Sequence, residues 1–175
     1  DPEMSRGLGD VYKRQRPGCV SIMTVHRSKG LEFPVVFVAD TDHKFNQSDA
    51  IRPVLTHSRL GVGVMLRAPR AAKRFKTLPY AALAQAIRTE TLSEEMRVLY
   101  VALTRAQDAL IITVPLKKTA SALKTPALCA AAEATGSESM RSMGSWAGWI
   151  LTAAMLHPDS DALWAVSYTH LTLPT

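Results

Sequence analysis

An arginine at the end of an amphipathic helix can reach across a cleft, and residues 94–107, EEMRVLYVALTRAQ, set Arg105 in that position. Met96, Leu99, Tyr100 and Leu103 fall on one side of such a helix. Arg97 and Thr104, seven residues and two turns apart, fall on a more polar side. A planar, permanently charged guanidinium binds two oxygens of a phosphoryl group at once, where phosphoryl transfer accumulates charge. Spacing alone also admits a plainer role for Arg105, an ion pair with Asp108.

A second group lies upstream in Thr24–Phe33, TVHRSKGLEF. The Thr24 hydroxyl and the His26 imidazole can each bond a phosphate oxygen without reading base sequence. The plainer roles are a turn cap for Thr24 and a surface histidine for His26. Gly30 suits a turn with positive φ or a close approach to a ligand. Lys29 adds a cation and Glu32 a carboxylate.

These side chains need a frame. Val20–Val25 is a short β-prone run, and residues 26–32 read as a turn. Phe33–Ala39, nearly all apolar and valine-rich, predicts a strand buried on both faces, as in a parallel sheet. Pro34 is tolerated at its start. Residues 40–79 read as loops with one small strand or hairpin at residues 60–66, LGVGVML. Tyr80–Gln107 lacks Pro and Gly and predicts two helices or one kinked helix. The break is expected near residues 89–93, because Thr91 and Glu94 have the spacing of a capping box. Ala109–Val114 is a second buried strand. Strand, helix and strand predict an α/β sandwich with a parallel sheet and flanking helices. Beyond Pro115 a helix is expected at residues 127–135. Trp146, Trp149, Ile150, Leu151, Met155 and Leu156 form another helical stripe whose tryptophans pack in a core.

The 175 residues suit about one domain, and 47% hydrophobic residues with mean hydropathy +0.01 exclude a disordered chain. No apolar run approaches the roughly 18 residues of a membrane span, so no membrane partner and a cytoplasmic location are expected. Cys19 and Cys129 are too few for a disulfide framework, and no metal cluster is evident. Net charge +6 suits a polyanion. Arg67, Arg70, Lys73, Arg74 and Lys76 crowd into residues 67–76 with no acid between them. That run is either a solvated loop or a phosphate-contacting patch. Residues 1–16 and 166–175 share no period with their neighbours and are expected to be a non-native leader and tail.

The two groups of residues resemble the fifth and sixth motifs of superfamily-one DNA helicases, the UvrD/RecB-like group. The wording around them is most similar to the AddA-type helicase–nucleases. That wording includes LEFPVVFVAD with KFN, LGVGV, LPYAALAQAIRTETLSEEMRVLYVALTRA, and SWAGWIL before His-Pro-Asp. The resemblance covers residues 18–164. It implies part of the second RecA-like motor domain, of the P-loop NTPase type, over residues 17–116, with a helical extension at residues 117–165 leading toward a nuclease linker. It implies that Arg105 is catalytic, contacting the γ-phosphate of ATP with its Mg2+. Gly30, Glu32 and Arg97 then belong to the nucleotide site, Glu32 near the sugar and Arg97 in support. Thr24, His26 and Lys29 belong to the DNA contact. The implied partners are an AddB-like subunit together with single- or double-stranded DNA. No phosphate loop GxxxxGK[ST] occurs, so the segment alone is expected neither to hydrolyse ATP nor to cut DNA. A UvrD-type helicase without nuclease and a non-catalytic basic DNA-binding module remain the alternatives.

Overall fold

The computed structural model describes residues 19–67, 73–116, 119–132 and 136–165. Strand β1 (Phe33–Val38) pairs in parallel with β5 (Ala106–Ile112), Phe33 opposite Ala106 and Val38 opposite Ile112. Between them in sequence come β2 (Val54–His57), β3 (Gly61–Arg67) and β4 (Arg74–Lys76), an antiparallel sheet in that order, and then helix α1 (Leu78–Leu103). After β5 follow α2 (Thr119–Ala131), α3 (Ser137–Ser142) and α4 (Trp146–Met155).

Helix α1 runs 26 residues without a break, about 39 Å at 1.5 Å per residue. The Thr77 hydroxyl caps it by accepting the Tyr80 N–H at 3.3 Å, and Pro79 occupies its first turn. The expected break at residues 89–93 is absent. The Thr91 hydroxyl turns back to the Ile87 carbonyl at 3.0 Å, as Thr89 and Ser93 do to Gln85 and Thr89. A threonine with that option sits inside a helix, and its spacing to Glu94 only imitates a cap. Glu94 and Glu95 are therefore mid-helix groups.

Other boundaries also move. β5 begins three residues before the expected Ala109 and ends at Ile112. Residues 19–24 form no strand, and Val20 and Ile22 stand almost fully exposed. β1 and β5 are not buried on both faces: Val35, Phe37, Leu110 and Ile111 are all exposed. A two-stranded sheet has no inner strand, and no described element covers those side chains. The small strand or hairpin expected at residues 60–66 is a strand, β3, the middle one of a three-stranded sheet. Helix α2 starts eight residues before the expected residue 127 and contains Pro126. The expected leader and tail, and Arg70, lie outside the described residues.

The small sheet packs one face on α1. Leu55 and Met65 meet Tyr80, Leu83, Ala84 and Ile87. The His57 ring, almost fully buried, ties the β2–β3 turn to the helix. Its Nδ1 accepts the N–H groups of Arg59 and Leu60, so Nε2 carries the proton and donates to Glu90 Oε1 at 3.0 Å. Gly63 is required by contact: a Cβ there would stand 2.7 Å from Tyr80 Cα and 2.9 Å from Tyr80 N. Gly63→Ala should therefore lower stability by about 1–3 kcal/mol, read from the urea midpoint; an unchanged midpoint would show that β3 and α1 separate freely.

On its other side α1 carries the C-terminal helices. Leu99 packs with Phe45, Met143 and Trp149. Trp149 Nε1 donates to the Met140 carbonyl at 2.8 Å, and its ring lies 4.8 Å from Phe45. Trp146 Nε1 donates to Glu95 on α1. Ala147 N–H donates to the Thr41 carbonyl at 2.7 Å, and the buried Thr41 hydroxyl donates to Thr113. The tryptophans thus form a packed stripe, as their spacing predicts.

Candidate functional site

The end of α1 and the start of β1 meet at Arg105. The last carbonyls of a helix lack partners, and the negative end of its dipole favours a cation. Arg105 satisfies both, its Nε donating to the Val101 carbonyl at 3.0 Å. Its Nη2 donates to the Thr104 hydroxyl at 3.1 Å, and Thr104 is itself held by the Tyr100 carbonyl. Its Nη1 crosses to the Leu31 carbonyl at 2.9 Å, 74 residues away in sequence. The Arg105 carbonyl in turn accepts the Phe33 N–H at 2.9 Å.

The guanidinium has five N–H donors. Three are bound to neutral acceptors, leaving one on each terminal nitrogen. No carboxylate among the described residues pairs with Arg105, and the ion pair with Asp108 does not form. A half-buried cation aligned by three bonds, with its charge unpaired, has two N–H donors with which it can bind an anion.

The loop that Arg105 grips begins with a 3-10 turn, Val25–Ser28, packed against α1. Buried Ser28 closes it, its hydroxyl donating to the Val25 carbonyl at 2.7 Å. Thr24 precedes the turn without capping it; its side chain makes no cap bond and is exposed. His26, Arg27 and Lys29 are exposed beside it, and Arg27 and Lys29 have no acidic partner among the described residues. Gly30 takes φ +80°, the left-handed conformation that its place in the turn predicts. Glu32 is exposed, with Oε2 accepting Gln107 Nε2 at 3.0 Å.

Thr24, His26, Lys29, Gly30 and Glu32 thus share one loop, and Arg105 is bonded to its last turn. Arg97 stands apart, two turns earlier on α1 and ion-paired with Glu94 on the exposed face. Gln107 and Arg27 join the site without having been singled out by motif. Gln107 had one signal: it lies two residues past Arg105, on a strand aligned with Phe33. The Leu31 carbonyl had none, since a backbone acceptor leaves no trace in residue type. Among the described residues no three His, Cys, Asp or Glu gather in a way that could hold a metal ion.

Strand, long helix and parallel strand, with the arginine at the helix end bonded to the loop before the first strand, define an α/β unit built on a parallel sheet. The UvrD-like helicase C-terminal domain model matches residues 6–117, and the chain belongs to that family. It is 40% identical over 149 residues to the A subunit of the ATP-dependent helicase/nuclease of Ruminiclostridium cellulolyticum, covering 82% of this chain and 12% of that protein. The same-named protein of Moorella thermoacetica is 39% identical over 148 residues, 82% of this chain and 10% of that one. That of Bacillus cereus is 44% identical over 112 residues, 64% of this chain and 9% of that one. The chain spans about a tenth of the length of the curated relatives it matches. No helix among the described residues is long and apolar enough to cross a membrane.

Proposed function

We propose that this segment belongs to the second motor domain of an AddA-type ATP-dependent DNA helicase–nuclease acting in double-strand break repair by homologous recombination. Its part is to supply the γ-phosphate arginine and the loop that couples ATP to DNA. The observation that carries the reading is the bond from Arg105 Nη1 to the Leu31 carbonyl, which joins the two motif segments in one unit.

The mechanism follows from what each group can bond. The two unbound N–H groups of Arg105 meet charge developing on the γ-phosphate oxygens, in a fork already aligned by Val101, Thr104 and Leu31. Glu32 accepts a ribose hydroxyl with the carboxylate oxygen that Gln107 leaves free. Thr24, His26 and Lys29 take DNA backbone phosphates at the other end of the same loop. Any shift of Arg105 toward phosphate pulls on the Leu31 carbonyl, and through it on the DNA-contacting turn. Arg97, ion-paired with Glu94 on the exposed face of α1, makes no bond to these groups. Mg2+ bound with the nucleotide would shield its phosphates, and the described residues of this segment gather no cluster of three His, Cys, Asp or Glu to hold it. A phosphate loop on the first motor domain completes the ATP site, and an AddB-like subunit completes the assembly.

The test uses the full-length helicase–nuclease that carries this segment. A Thr24→Ala/His26→Ala variant should lose about tenfold in the apparent affinity with which single-stranded DNA stimulates ATP hydrolysis, the effect of about 1.4 kcal/mol of lost phosphate contact. KM for ATP should stay within twofold of wild type. Undiminished stimulation would remove the DNA role of this loop. The alternative of a UvrD-type helicase is decided by nuclease activity in the same preparation.

A further inference from the structure

We propose that the recess between the β2–β3–β4 sheet and α1 binds a backbone phosphate of a nucleic-acid strand. This rests on the DNA-motor reading and extends it to residues that have no role there. The recess is a cavity of about 270 Å³. Ala81, Ala84, Gln85 and Arg88 line it from one stripe of α1, and the two alanines leave the hollow. Met65 and Lys76, opposite one another in the β3–β4 register, form the facing wall.

Four polar side chains line it: Lys76, Tyr80, Gln85 and Arg88. None is acidic, and none has a side-chain hydrogen-bond or ion-pair partner among the described residues. Arg88 Nε is shut off from solvent and unbonded. Tyr80 is only 1% exposed; its hydroxyl has no bonding partner among the described residues but is not shut off from solvent as Arg88 Nε is. A shielded N–H without an acceptor is costly, because its hydration has been given up for nothing. A group presenting several anionic oxygens to an ammonium, a guanidinium, an amide and a phenol removes that cost. Phosphate is such a group.

The surroundings favour a strand over a single anion. Side chains two apart in a strand share a face. Arg74 and Lys76 therefore lie on the face that forms the cavity wall, and Arg67 is paired directly opposite Arg74. All three are exposed, and none has an acidic partner among the described residues. Like charges in directly opposed cross-strand positions repel. A polyanion lying across them relieves that repulsion, with one phosphate seated between Lys76 and Arg88 and the next ones along Arg74 and Arg67.

The experiment titrates the 175-residue chain into a fluorescein-labelled 20-mer oligothymidylate over a series of KCl concentrations, read by anisotropy. Lys76→Gln/Arg88→Gln should weaken binding about tenfold or more and reduce the slope of log K against log salt by about 1 to 1.5, two single-strand phosphate contacts. Gln85→Glu, which keeps the packing and adds a carboxylate, should weaken binding as much. Lys124→Gln, an exposed cation on α2, should leave both quantities unchanged. Wild-type affinity and slope in both pocket variants would overturn the proposal. So would a pocket whose amide resonances shift with inorganic phosphate while oligonucleotide binding ignores the variants, which would assign the site to a free anion. Thr24→Ala/His26→Ala is run alongside. Loss confined to the pocket variants supports this inference and overturns the DNA role of the loop; loss confined to the loop variant does the reverse.

Discussion

Replacing Arg105 by alanine in the full-length helicase–nuclease is expected to cut ATP turnover by about 10³- to 10⁵-fold, the range an arginine contributes at a phosphoryl-transfer site. The size of the effect follows from timing. The two N–H groups that Val101, Thr104 and Leu31 leave unbound are worth most when charge moves onto the γ-phosphate, so kcat should fall with little change in KM. Arg105→Lys separates charge from geometry. An ammonium retains the charge but cannot hold Val101 and Leu31 while presenting a fork, so lysine should restore little of the lost rate. Both substitutions also leave the Leu31 carbonyl without its donor, at a stability cost of about 1–3 kcal/mol. A thermal melt run beside the kinetics separates the two effects. A folded Arg105→Ala enzyme that hydrolyses ATP at the wild-type rate would refute the assignment.

The largest effect on folding is expected at Trp149. It is buried, packs with Leu99 and Met143, lies tilted against Phe45 and donates to the Met140 carbonyl. Trp149→Ala should lower stability by about 3–5 kcal/mol through cavity formation and the orphaned carbonyl. That is a large share of the roughly 5–15 kcal/mol that holds a domain together. Trp149→Phe keeps much of the ring packing but loses the Nε1–H bond, and should cost about 1–2 kcal/mol. Urea unfolding followed by far-UV circular dichroism gives both numbers. A cost under about 1 kcal/mol for Trp149→Ala, the size of an ordinary surface change, would mean that α4 does not dock on α1, and that residues beyond Pro115 are a separate unit.

Much of this arrangement was legible from residue type. The valine run after Pro34 becomes β1, the Pro- and Gly-free stretch becomes α1, and Gly30 adopts its positive φ. Each depends on neighbours a few residues away. What was not legible depends on residues far off in the chain. The burial of β1 and β5 is set by whether other elements cover them, which a run of valines cannot report. β4 is three residues, Arg-Phe-Lys, with no alternation to read; only its pairing with β3 makes it a strand. The continuity of α1 was hidden because a threonine that bonds back to the preceding turn has the same letter as one that caps. In the site, spacing offered Asp108 as the near partner of Arg105. The fold instead supplies the carbonyl of Leu31, across the sheet.

The parallel pairing of β1 with β5 has a consequence for the moment of birth. Leu31 and Arg105 lie 74 residues apart. At roughly 5–20 residues per second, ribosomal synthesis leaves the Thr24–Phe33 loop without its clamp for roughly 4 to 15 s. During that interval Val35 and Phe37 emerge with an unpaired strand edge, a template for wrong pairing. Mutations that slow the β1–β5 closure should therefore lower soluble yield in cells before they lower the activity of the molecules that do fold.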